Sequence, residues 1–256
     1  MTIGTAKPST EELERVKHYF IDTFSVTEHV TAATFETLAL SYLDEIFQSG
    51  DTAVVCGGTG LYIKALTEGL DQMPSVDETI ENAVNEDYKA RGLEWLQQAV
   101  RAEDPRFFQA GEVQNPARML RALSFVRSTG KSILDYRSGN KKVRPFRMIK
   151  VALELPRELL YARINTRVEQ MMAHGLLDEV RSLAHLQHLK NLQTVGYTEL
   201  FDHMEGKYDL PAAVEKIAQH TRNYAKRQLT WFRKDEEYVW LRSDDRDITE
   251  KIMDLK

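Results

Sequence analysis

Residues 53–66, with the sequence AVVCGGTGLYIKAL, restrict the possible folds of this chain more than any other stretch. Residues 53–56 form a short apolar run that is typical of a buried strand. Apolar residues recur at helical spacing from Leu61 onwards, which predicts a helix. Gly57 and Gly58 lie between the two segments and predict a tight turn, because larger residues tolerate few such backbone conformations. A strand, a glycine turn and a helix in succession indicate an α/β fold.

The same turn has the composition of an anion-binding site. Backbone N–H groups of residues 58–60 can point outward at the start of the helix, and the Thr59 hydroxyl adds a donor. The helix dipole favours an anion at that position. The turn matches neither G-x-G-x-x-G nor a P-loop, so an ordinary connection between strand and helix is the simpler interpretation of the turn alone.

Length and composition are those of a soluble globular protein with one large domain or two small ones. The 256 residues are 42% apolar and 29% charged, and the formal net charge is −5. No run approaches the ~20 apolar residues of a membrane span, and the first residues do not resemble a signal peptide. The one cysteine, Cys56, is predicted to pack inside the strand. These features indicate a cytoplasmic protein with no membrane contact.

Strand and helix signals divide the chain into two parts. Strand signals disappear over 76–143, where the pattern is helical throughout. A near-continuous apolar stretch over 146–155 is typical of a parallel strand, and 238–241 predicts a last strand. We therefore expect an α/β core made of 1–75 and 144–256, with an inserted helical domain between them.

A long basic helix is predicted over 210–234. No acidic residue lies between Lys216 and Lys234, and Arg222 and Lys226 share one face of the helix. Like charges at this spacing cost stability unless an anion or another part of the fold compensates them. The helix is therefore either a phosphate-binding surface or a solvated face with internal ion pairs, and its aromatic residues either stack on bases or pack in the core.

Other basic residues have spacings that suit phosphate binding. Arg163 and Arg167 lie four residues apart on one predicted helix, and arginine forms paired hydrogen bonds with phosphate. Asn115, Arg118 and Arg121 lie at the start of a helix in the predicted insertion. The histidines have no metal-ligand spacing. The residues alone thus indicate either a phosphate-ligand enzyme that acts on nucleic acid or a passive RNA-binding protein.

The ordered set of motifs resembles one family, the tRNA dimethylallyltransferases, also called tRNA isopentenyltransferases. The resemblance extends over 2–241 and is carried by IGTAKP (3–8), GGTGLY (57–62), KAL (64–66), NPAR (115–118), RAL (121–123), 163–175, VGY (195–197), AKRQ (225–228) and TW (230–231). It implies a P-loop-kinase-like parallel-sheet α/β core with an inserted all-helical domain. The organisation that the residues indicate agrees with that fold.

The resemblance also implies a reaction. The family transfers a dimethylallyl group from dimethylallyl diphosphate to N6 of adenosine 37, next to the tRNA anticodon. The tRNA passes through a channel between the two domains, and the target base is flipped out of its stack. Nitrogen attacks the allylic carbon while diphosphate leaves, and Mg²⁺ accompanies the diphosphate. A monomer is the expected state.

Site residues follow from the resemblance, position by position. Gly57, Gly58 and Thr59 are implied to face the diphosphate, and Arg167 to clamp it, with Thr59 and Arg167 as the catalytic residues. The residues implied to contact the tRNA anticodon stem-loop are Asn115, Pro116, Ala117, Arg118, Met119, Arg121, Gln193, Thr194, Val195, Gly196, Tyr197, Thr198, Arg222, Lys226 and Arg227. No metal-ligating residue is assigned.

The chain departs from the family pattern at one place. Family members begin with a strand and a P-loop, G-x-T-x-x-G-K-[ST], followed by a strand whose Asp is thought to be the general base. No G-x-x-x-x-G-K-[ST] occurs in these residues. We therefore expect an N-terminally truncated form with an incomplete sheet, which binds RNA but transfers no dimethylallyl group. A non-catalytic RNA-binding protein of the same fold is the alternative.

Overall fold

The structure is a computed structural model that describes residues 1–111 and 113–255. Its α-helices are α1 (Thr10–Arg15), α2 (Ala32–Phe47), α3 (Gly60–Glu68), α4 (Glu78–Glu103), α5 (Pro105–Ala110), α6 (Pro116–Thr129), α7 (Arg157–Ala173), α8 (Leu176–Ser182), α9 (Thr198–Met204), α10 (Leu210–Phe232) and α11 (Ile248–Met253). Its strands are β1 (Val151–Glu154) and β2 (Val239–Arg242), and short 3₁₀ turns cover Ile133–Tyr136, Ala184–Leu186 and Lys190–Leu192. Within residues 1–111 and 113–255, no helix is both long and apolar enough to cross a membrane.

The chain forms two compact units. The core unit comprises Met1–Thr67 and Arg144–Lys256, and the helical unit comprises Glu68–Val143. Both strands belong to the core unit, and the helical unit has none among its described residues. The predicted helical insertion, 76–143, falls inside the helical unit. The α/β fold class predicted from the sequence is confirmed.

The sheet of the core unit joins two segments that are far apart in the sequence. Strands β1 and β2 are parallel, with Val151 beside Val239 and Glu154 beside Arg242. Lys150 precedes β1, and its ammonium group lies 2.7 Å from a carboxylate oxygen of Asp235. Burial lowers the pKa of Lys150, but the hydrogen bonds that its ammonium donates to Asp235 and Glu237 outweigh burial and raise that pKa overall. The charged pair therefore fixes the chain where the sheet begins.

The predicted strand at 53–56 is not present, and this corrects the sequence analysis. The segment has no regular secondary structure and lies outside the β1–β2 sheet. Val54 is 83% exposed, and Cys56, which was predicted to be packed, is exposed as well. An apolar run becomes a buried strand only where a neighbouring strand pairs with its backbone and a second layer covers its side chains. Neither condition is met here among the described residues.

Two hydrophobic clusters hold the core unit together. The larger one lies between α7, α8, α9 and α10 and is centred on Val180, Tyr197 and Leu200. The smaller one joins α2 to α3 through Leu43 and Leu66. These clusters fix α10 against α7 and α9, so the face of α10 that stays exposed is determined by packing.

The helical unit has its own core and its own helix caps. Helices α4 and α6 pack through Leu96 and Phe125, which are fully buried. Helix α4 kinks at Gly92, where φ is 77°. The buried Asp104 carboxylate accepts hydrogen bonds from Phe107 N at 3.0 Å and from Ser132 Oγ at 2.8 Å. The first bond caps α5, and the second connects α5 to the 3₁₀ turn Ile133–Tyr136. Asn115 caps the start of α6, and Gly130, in the left-handed conformation, ends it.

Candidate functional site

The glycine turn packs directly on α10. Gln228 Nε2 donates a hydrogen bond to the Gly58 carbonyl at 3.0 Å. A Cβ atom on Gly60 would lie 2.2 Å from Trp231 Nε1, so a side chain at that position would displace the indole. A Cβ atom on Gly57, in contrast, would meet no other atom within 4 Å. The glycine at position 60 is therefore required by the close approach of α10.

The amide groups of this turn are available to a ligand. The Thr59 carbonyl accepts hydrogen bonds from Tyr62 N at 2.9 Å and Ile63 N at 3.1 Å, so Thr59 caps the start of α3. Among the described residues, the N–H groups of residues 58–60 and the Thr59 hydroxyl donate to no protein group. Unpaired N–H groups at a helix start favour an anion. The turn thus has the donors that a phosphate group needs.

Arg167 lies on the exposed side of α7. It forms no ion pair within the described residues, and none with Glu169, which lies two positions later on the same helix. Helix α7 runs along α10, where Asn165 Oδ1 accepts a hydrogen bond from Arg222 Nη1 at 2.8 Å. The structure describes no contact between Arg167 and the glycine turn. The role of Arg167 as a diphosphate clamp stays a prediction.

Arg222 already has an anionic partner, which corrects the expectation for the basic helix. Its Nη2 atom lies 2.8 Å from Glu215 Oε1, seven residues earlier on α10, and its side chain is only 19% exposed. Glu215 lies one position before the acid-free stretch that begins at Lys216. Arg222 is therefore a compensated charge, and its assignment as a tRNA contact stays a prediction.

Lys226 and Arg227 form no ion pairs within the described residues. Lys226 Nζ lies 5.9 Å from the ring centroid of Tyr161, and the Arg227 guanidinium lies 5.5 Å from that of Tyr224. Burial raises the pKa of Tyr161, but hydrogen bonds from Arg157 and Lys226 outweigh burial and lower that pKa overall. This part of α10 thus keeps positive charge that no carboxylate compensates.

The predicted RNA-contacting segment 193–198 has an inner and an outer part. Tyr197 is fully buried, and its ring fills the space beside Gly4, where a Cβ atom would lie 2.4 Å from Tyr197 Cε2. Gly196 is buried too, with a φ of 96° that favours glycine. The Tyr197 side chain is therefore a core residue and is not exposed to a ligand, whereas the assignment of Gly196 as a tRNA contact stays a prediction. Gln193, Thr194 and Thr198 are exposed.

Glu179 holds the buried tyrosine and the N-terminal segment together. Its carboxylate accepts hydrogen bonds from Thr2 N at 2.7 Å, Ile3 N at 2.9 Å, Gly4 N at 3.1 Å and Tyr197 Oη at 2.5 Å. Burial raises the pKa of Glu179, but these hydrogen bonds together outweigh burial and lower that pKa. Burial and the same carboxylate raise the pKa of Tyr197, so the phenol stays neutral. Sequence reasoning missed Glu179, because no local pattern links it to residues 2–4.

The predicted RNA-contacting residues of the helical unit lie at the first turns of α6. Asn115 Oδ1 accepts a hydrogen bond from Arg118 N at 3.3 Å, so the Asn115 side chain is the cap of this helix. Ala117, Arg118 and Arg121 are exposed, whereas Met119 is fully buried in the helical core. Met119 is therefore a packing residue, which corrects its assignment as an RNA contact.

Gln228 and Trp231 are further residues beside the glycine turn; the sequence assigned no role to Gln228 and left Trp231 open between base stacking and core packing. Both lie within the RQLTW stretch of α10, and both approach the glycine turn. Trp231 is 40% exposed although it is a large aromatic residue. The signal that points to them is the helical spacing of three residues between Gln228 and Trp231, which places them on one face.

Comparison with known proteins identifies the family. The family model described as "IPP transferase" matches residues 1–235. A tRNA dimethylallyltransferase 1 from Bacteroides thetaiotaomicron is 42% identical over 240 residues, which cover 94% of this chain and 78% of the relative. A tRNA dimethylallyltransferase from Cytophaga hutchinsonii is 42% identical over 240 residues, which cover 94% of this chain and 79% of that relative.

Two solved structures are similar to this fold. The full-length tRNA isopentenylpyrophosphate transferase from Bacillus halodurans superposes with a TM-score of 0.68 at 32% identity, covering 99% of this chain and 80% of its own. A eukaryotic dimethylallyltransferase acting on tRNA gives a TM-score of 0.76 at 20% identity, covering 98% of this chain and 67% of its own, and at that identity it shows the fold alone. With the sequence matches, these comparisons show that the chain belongs to the IPP transferase family of tRNA dimethylallyltransferases.

Proposed function

We propose that this protein transfers a dimethylallyl group from dimethylallyl diphosphate to N6 of adenosine 37 in tRNA, which gives N6-dimethylallyladenosine. The observation that carries the proposal is a glycine turn with free amide donors, packed against a basic helix, in a member of this family. Relatives of the chain are named tRNA dimethylallyltransferases, and one similar solved structure is described as acting on tRNA.

The donors of the turn suit the leaving group of this reaction. N6 forms a bond to the allylic carbon, the carbon–oxygen bond breaks, and its electron pair leaves with the diphosphate. Negative charge therefore grows on the diphosphate in the transition state. The N–H groups of residues 58–60 and the Thr59 hydroxyl are free to donate to it. Loss of one such preorganised donor typically costs ~10²–10³ in rate.

Arg167 is proposed as a second source of charge stabilisation. A guanidinium keeps its charge at any physiological pH and forms paired hydrogen bonds with phosphate oxygens. Its exposed position and its lack of a described carboxylate partner leave the side chain free to reach a ligand. The proton that N6 loses needs a base, and no described residue is assigned to that role.

The glycine turn does not make a metal site by itself. It supplies one side-chain oxygen that can ligate a metal, the Thr59 hydroxyl, and its free backbone groups are N–H donors. Among the described residues there is no group of three or more His, Cys, Asp or Glu side chains placed to hold a metal ion. We propose Mg²⁺ as a partner of the diphosphate oxygens, which it prefers, and assign it no protein ligand.

The proposed tRNA contacts are taken from the set implied by the family resemblance, without its buried members Met119, Gly196 and Tyr197 and without Arg222. They are Asn115, Pro116, Ala117, Arg118, Arg121, Gln193, Thr194, Val195, Thr198, Lys226 and Arg227. Lys226 and Arg227 carry charge without an ion pair in the described chain, and RNA phosphates would compensate it. We propose that the protein acts in the cytoplasm and as a monomer.

A charge reversal on α10 tests the RNA side of the proposal. Lys226→Glu is expected to weaken binding of an anticodon stem-loop and to lower the salt dependence of log K by about one phosphate contact. Arg181→Glu makes the same charge change on an exposed side chain of α8 and serves as the control. An unchanged salt slope in Lys226→Glu would mean that this face is an ordinary solvated surface.

A transfer assay tests the chemistry. The protein is incubated with labelled dimethylallyl diphosphate, Mg²⁺ and unmodified tRNA, and a tRNA with guanosine at position 37 is the control. Label on adenosine 37 supports the transferase and contradicts the expectation from the sequence that residues 1–256 alone transfer no dimethylallyl group. RNA binding without label on either tRNA would favour the second candidate, a non-catalytic RNA-binding protein of the same fold.

A further inference from the structure

One buried arginine binds the last turn of α3. Arg144 Nε donates a hydrogen bond to the Leu66 carbonyl at 2.8 Å, and Arg144 Nη2 donates one to the Ala65 carbonyl at 2.8 Å. The last carbonyl groups of a helix have no partner within the helix, and the helix dipole favours a cation beside them. The Arg144 guanidinium therefore caps the end of α3 that lies opposite to the glycine turn.

A carboxylate of α2 holds this guanidinium in place. Glu36 Oε1 lies 2.8 Å from Arg144 Nη2, and the side chains of Glu36 and Arg144 are 9% and 7% exposed. The desolvation of so buried an ion pair offsets most of its attraction, so apolar residues of similar size would stabilise the fold equally well. The ion pair adds direction instead, because its hydrogen bonds act only over a narrow range of distances and angles. We call Arg144 and Glu36 the α3 clamp.

The α3 clamp lies where the chain leaves and re-enters the core unit. Leu66 is two residues before the helical unit, Glu68–Val143, and Arg144 is the first residue after it. The bond from Arg144 to Leu66 thus joins two segments of the core unit that are 78 residues apart in the sequence. The position of α3 is therefore restrained by a residue from the second segment of the core unit.

The aromatic contacts between α2 and α3 restrain the α3 backbone less directly. The rings of Phe35 and Tyr62 stack at 5.0 Å, and apolar contacts of this kind are not directional. Tyr62 Oη also donates a hydrogen bond to the Val30 carbonyl at 2.9 Å, but from the end of a long side chain. The two bonds from Arg144 end on backbone carbonyls of α3, so they restrain the position of this helix along its axis.

The glycine turn lies at the other end of the same short helix. Leu66 follows Gly60 by six residues, which is about 9 Å of helix, so a slide at one end displaces the other end equally. Gln228 contacts the turn from α10. Preorganised donors have to lie within about 0.5 Å of their productive positions. A slide of α3 by that distance would misplace the N–H groups of residues 58–60.

We propose that Arg144 and Glu36 are positioning residues for the diphosphate. They hold α3 at the axial position in which the N–H groups of residues 58–60 converge on one anion, and they act through the helix rather than by contact with the ligand. The inference rests on the proposed function of the glycine turn. It extends that function to two residues that lie outside all the family motifs.

Glycine amide signals test the positioning without any assay of activity. In ¹⁵N-glycine-labelled protein, Arg144→Lys is expected to shift the amide signals of Gly58 and Gly60, because lysine keeps the charge but lacks the planar fork of arginine. Arg127→Lys is the matched control. It breaks a paired bond between Arg127 and Glu103 within the helical unit, so it should leave both signals in place.

Binding of inorganic diphosphate measures the consequence. In calorimetric titration, Arg144→Lys should raise the Kd at least ~10-fold, the effect of losing one hydrogen bond to a charged ligand. Arg127→Lys should bind as the wild type does. Glu36→Gln keeps the shape of the side chain but removes its charge, so it should raise the Kd by a smaller factor and shift the same two amide signals. Thermal melting establishes that each variant is folded, and Glu36→Gln carries the test if Arg144→Lys does not fold.

The outcomes separate this inference from the proposed function. If the signals of Gly58 and Gly60 stay in place in both clamp variants, the clamp only stabilises the fold and the inference is refuted. Equal shifts in Arg127→Lys would refute it as well, because they would reflect a general loosening. If the signals shift in the clamp variants alone but the wild type binds no diphosphate, the clamp positions the turn, whereas the proposed diphosphate site falls.

Discussion

Replacing Glu179 with glutamine would test how the N-terminal segment is held to the core unit. The Glu179 carboxylate accepts four hydrogen bonds, two on each oxygen: Thr2 N and Ile3 N donate to Oε2, and Gly4 N and Tyr197 Oη donate to Oε1. A glutamine side chain has one acceptor oxygen, and its NH₂ group would face N–H donors. Glu179→Gln therefore loses two charge-assisted hydrogen bonds and adds donor–donor contacts.

The expected magnitude follows from these four bonds. A hydrogen bond to a charged group contributes about 1.5–3 kcal/mol, so two lost bonds amount to about 3–6 kcal/mol before compensation. Thr2 is exposed, so water can replace the partner of its N–H group after the substitution. We therefore expect Glu179→Gln to reduce the free energy that holds residues 1–8 in place by about 2–4 kcal/mol.

Hydrogen exchange of the N-terminal amides measures that free energy directly, because it reports local opening as well as global unfolding. Asp178→Asn is the matched control. It makes the same chemical change at the neighbouring residue, whose side chain is 79% exposed and forms a surface ion pair with Arg181. Such pairs contribute about 0–1 kcal/mol. Equal exchange in the wild type and Glu179→Gln, or equal effects of the two substitutions, would refute this account of Glu179.

The hydrogen bonds of Glu179 also determine how the stability of the N-terminal segment changes with pH. The pKa of Glu179 lies below its ordinary value of 4.5 in the folded protein. A carboxyl group with a lowered pKa stabilises the folded state above its unfolded pKa, and this contribution is lost as pH falls through the folded pKa. The difference between the wild type and Glu179→Gln should therefore be full at neutral pH and shrink below pH 4.5.

The remaining predictions concern the glycine turn and Arg167. Gly60→Ala would bring a Cβ atom within 2.2 Å of Trp231 Nε1, so we expect Tm to fall by roughly 2–10 °C in calorimetry, the range for an overpacked site. Gly57→Ala, which meets no atom within 4 Å, should leave Tm unchanged, and an equal fall in both variants would contradict the packing argument. Arg167→Ala should raise the donor KM or lower kcat by at least ~10-fold in steady-state kinetics while Tm barely moves. A large loss of Tm with normal kinetics would make Arg167 a structural residue instead.

Helix boundaries were predictable from sequence because their signals are local. Ser9 and Glu12, three residues apart as a capping box requires, cap α1 with both reciprocal hydrogen bonds. Asn115 caps α6, and Gly130 ends it with a φ of 71°. In each case the partners lie within a few residues of each other, so the pattern in the sequence already contains the interaction.

The strand predicted at 53–56 is absent because strand formation depends on a partner that is distant in the sequence. Its apolar residues satisfy the local pattern, but a strand is stable only beside another strand. The sheet of the described chain pairs residues near 151 with residues near 239, and 53–56 takes no part in it. The spacing of apolar residues does not show whether a segment has a neighbouring strand. It therefore could not show that 53–56 forms no strand or that Cys56 is exposed.

For the candidate site, too, the sequence predicted the features that depend on neighbouring residues and missed those that depend on distant contacts. The anion-binding character of Gly58 and Thr59 was readable from the residues, because it depends on a turn and the helix that follows. The approach of Gln228 and Trp231 was not, since 170 residues separate Gly58 from Gln228. Family resemblance supplied the position of the RNA-contacting segment but not the burial of its members. Tyr197 was therefore assigned to the substrate when it belongs to the core.

The burial of Tyr197 changes how the motif around it acts. Tyr197 and Glu199 are both buried. Tyr197 donates a hydrogen bond to Glu179, and Glu199 accepts one from Gly196 N and contacts His220. These inward contacts fix the backbone from which Thr194 and Thr198 are exposed. The motif thus positions, through buried residues, the exposed side chains that we propose as RNA contacts. Any substitution that loosens Glu179 should consequently weaken RNA binding as well as the N-terminal segment, because both depend on the orientation of Tyr197.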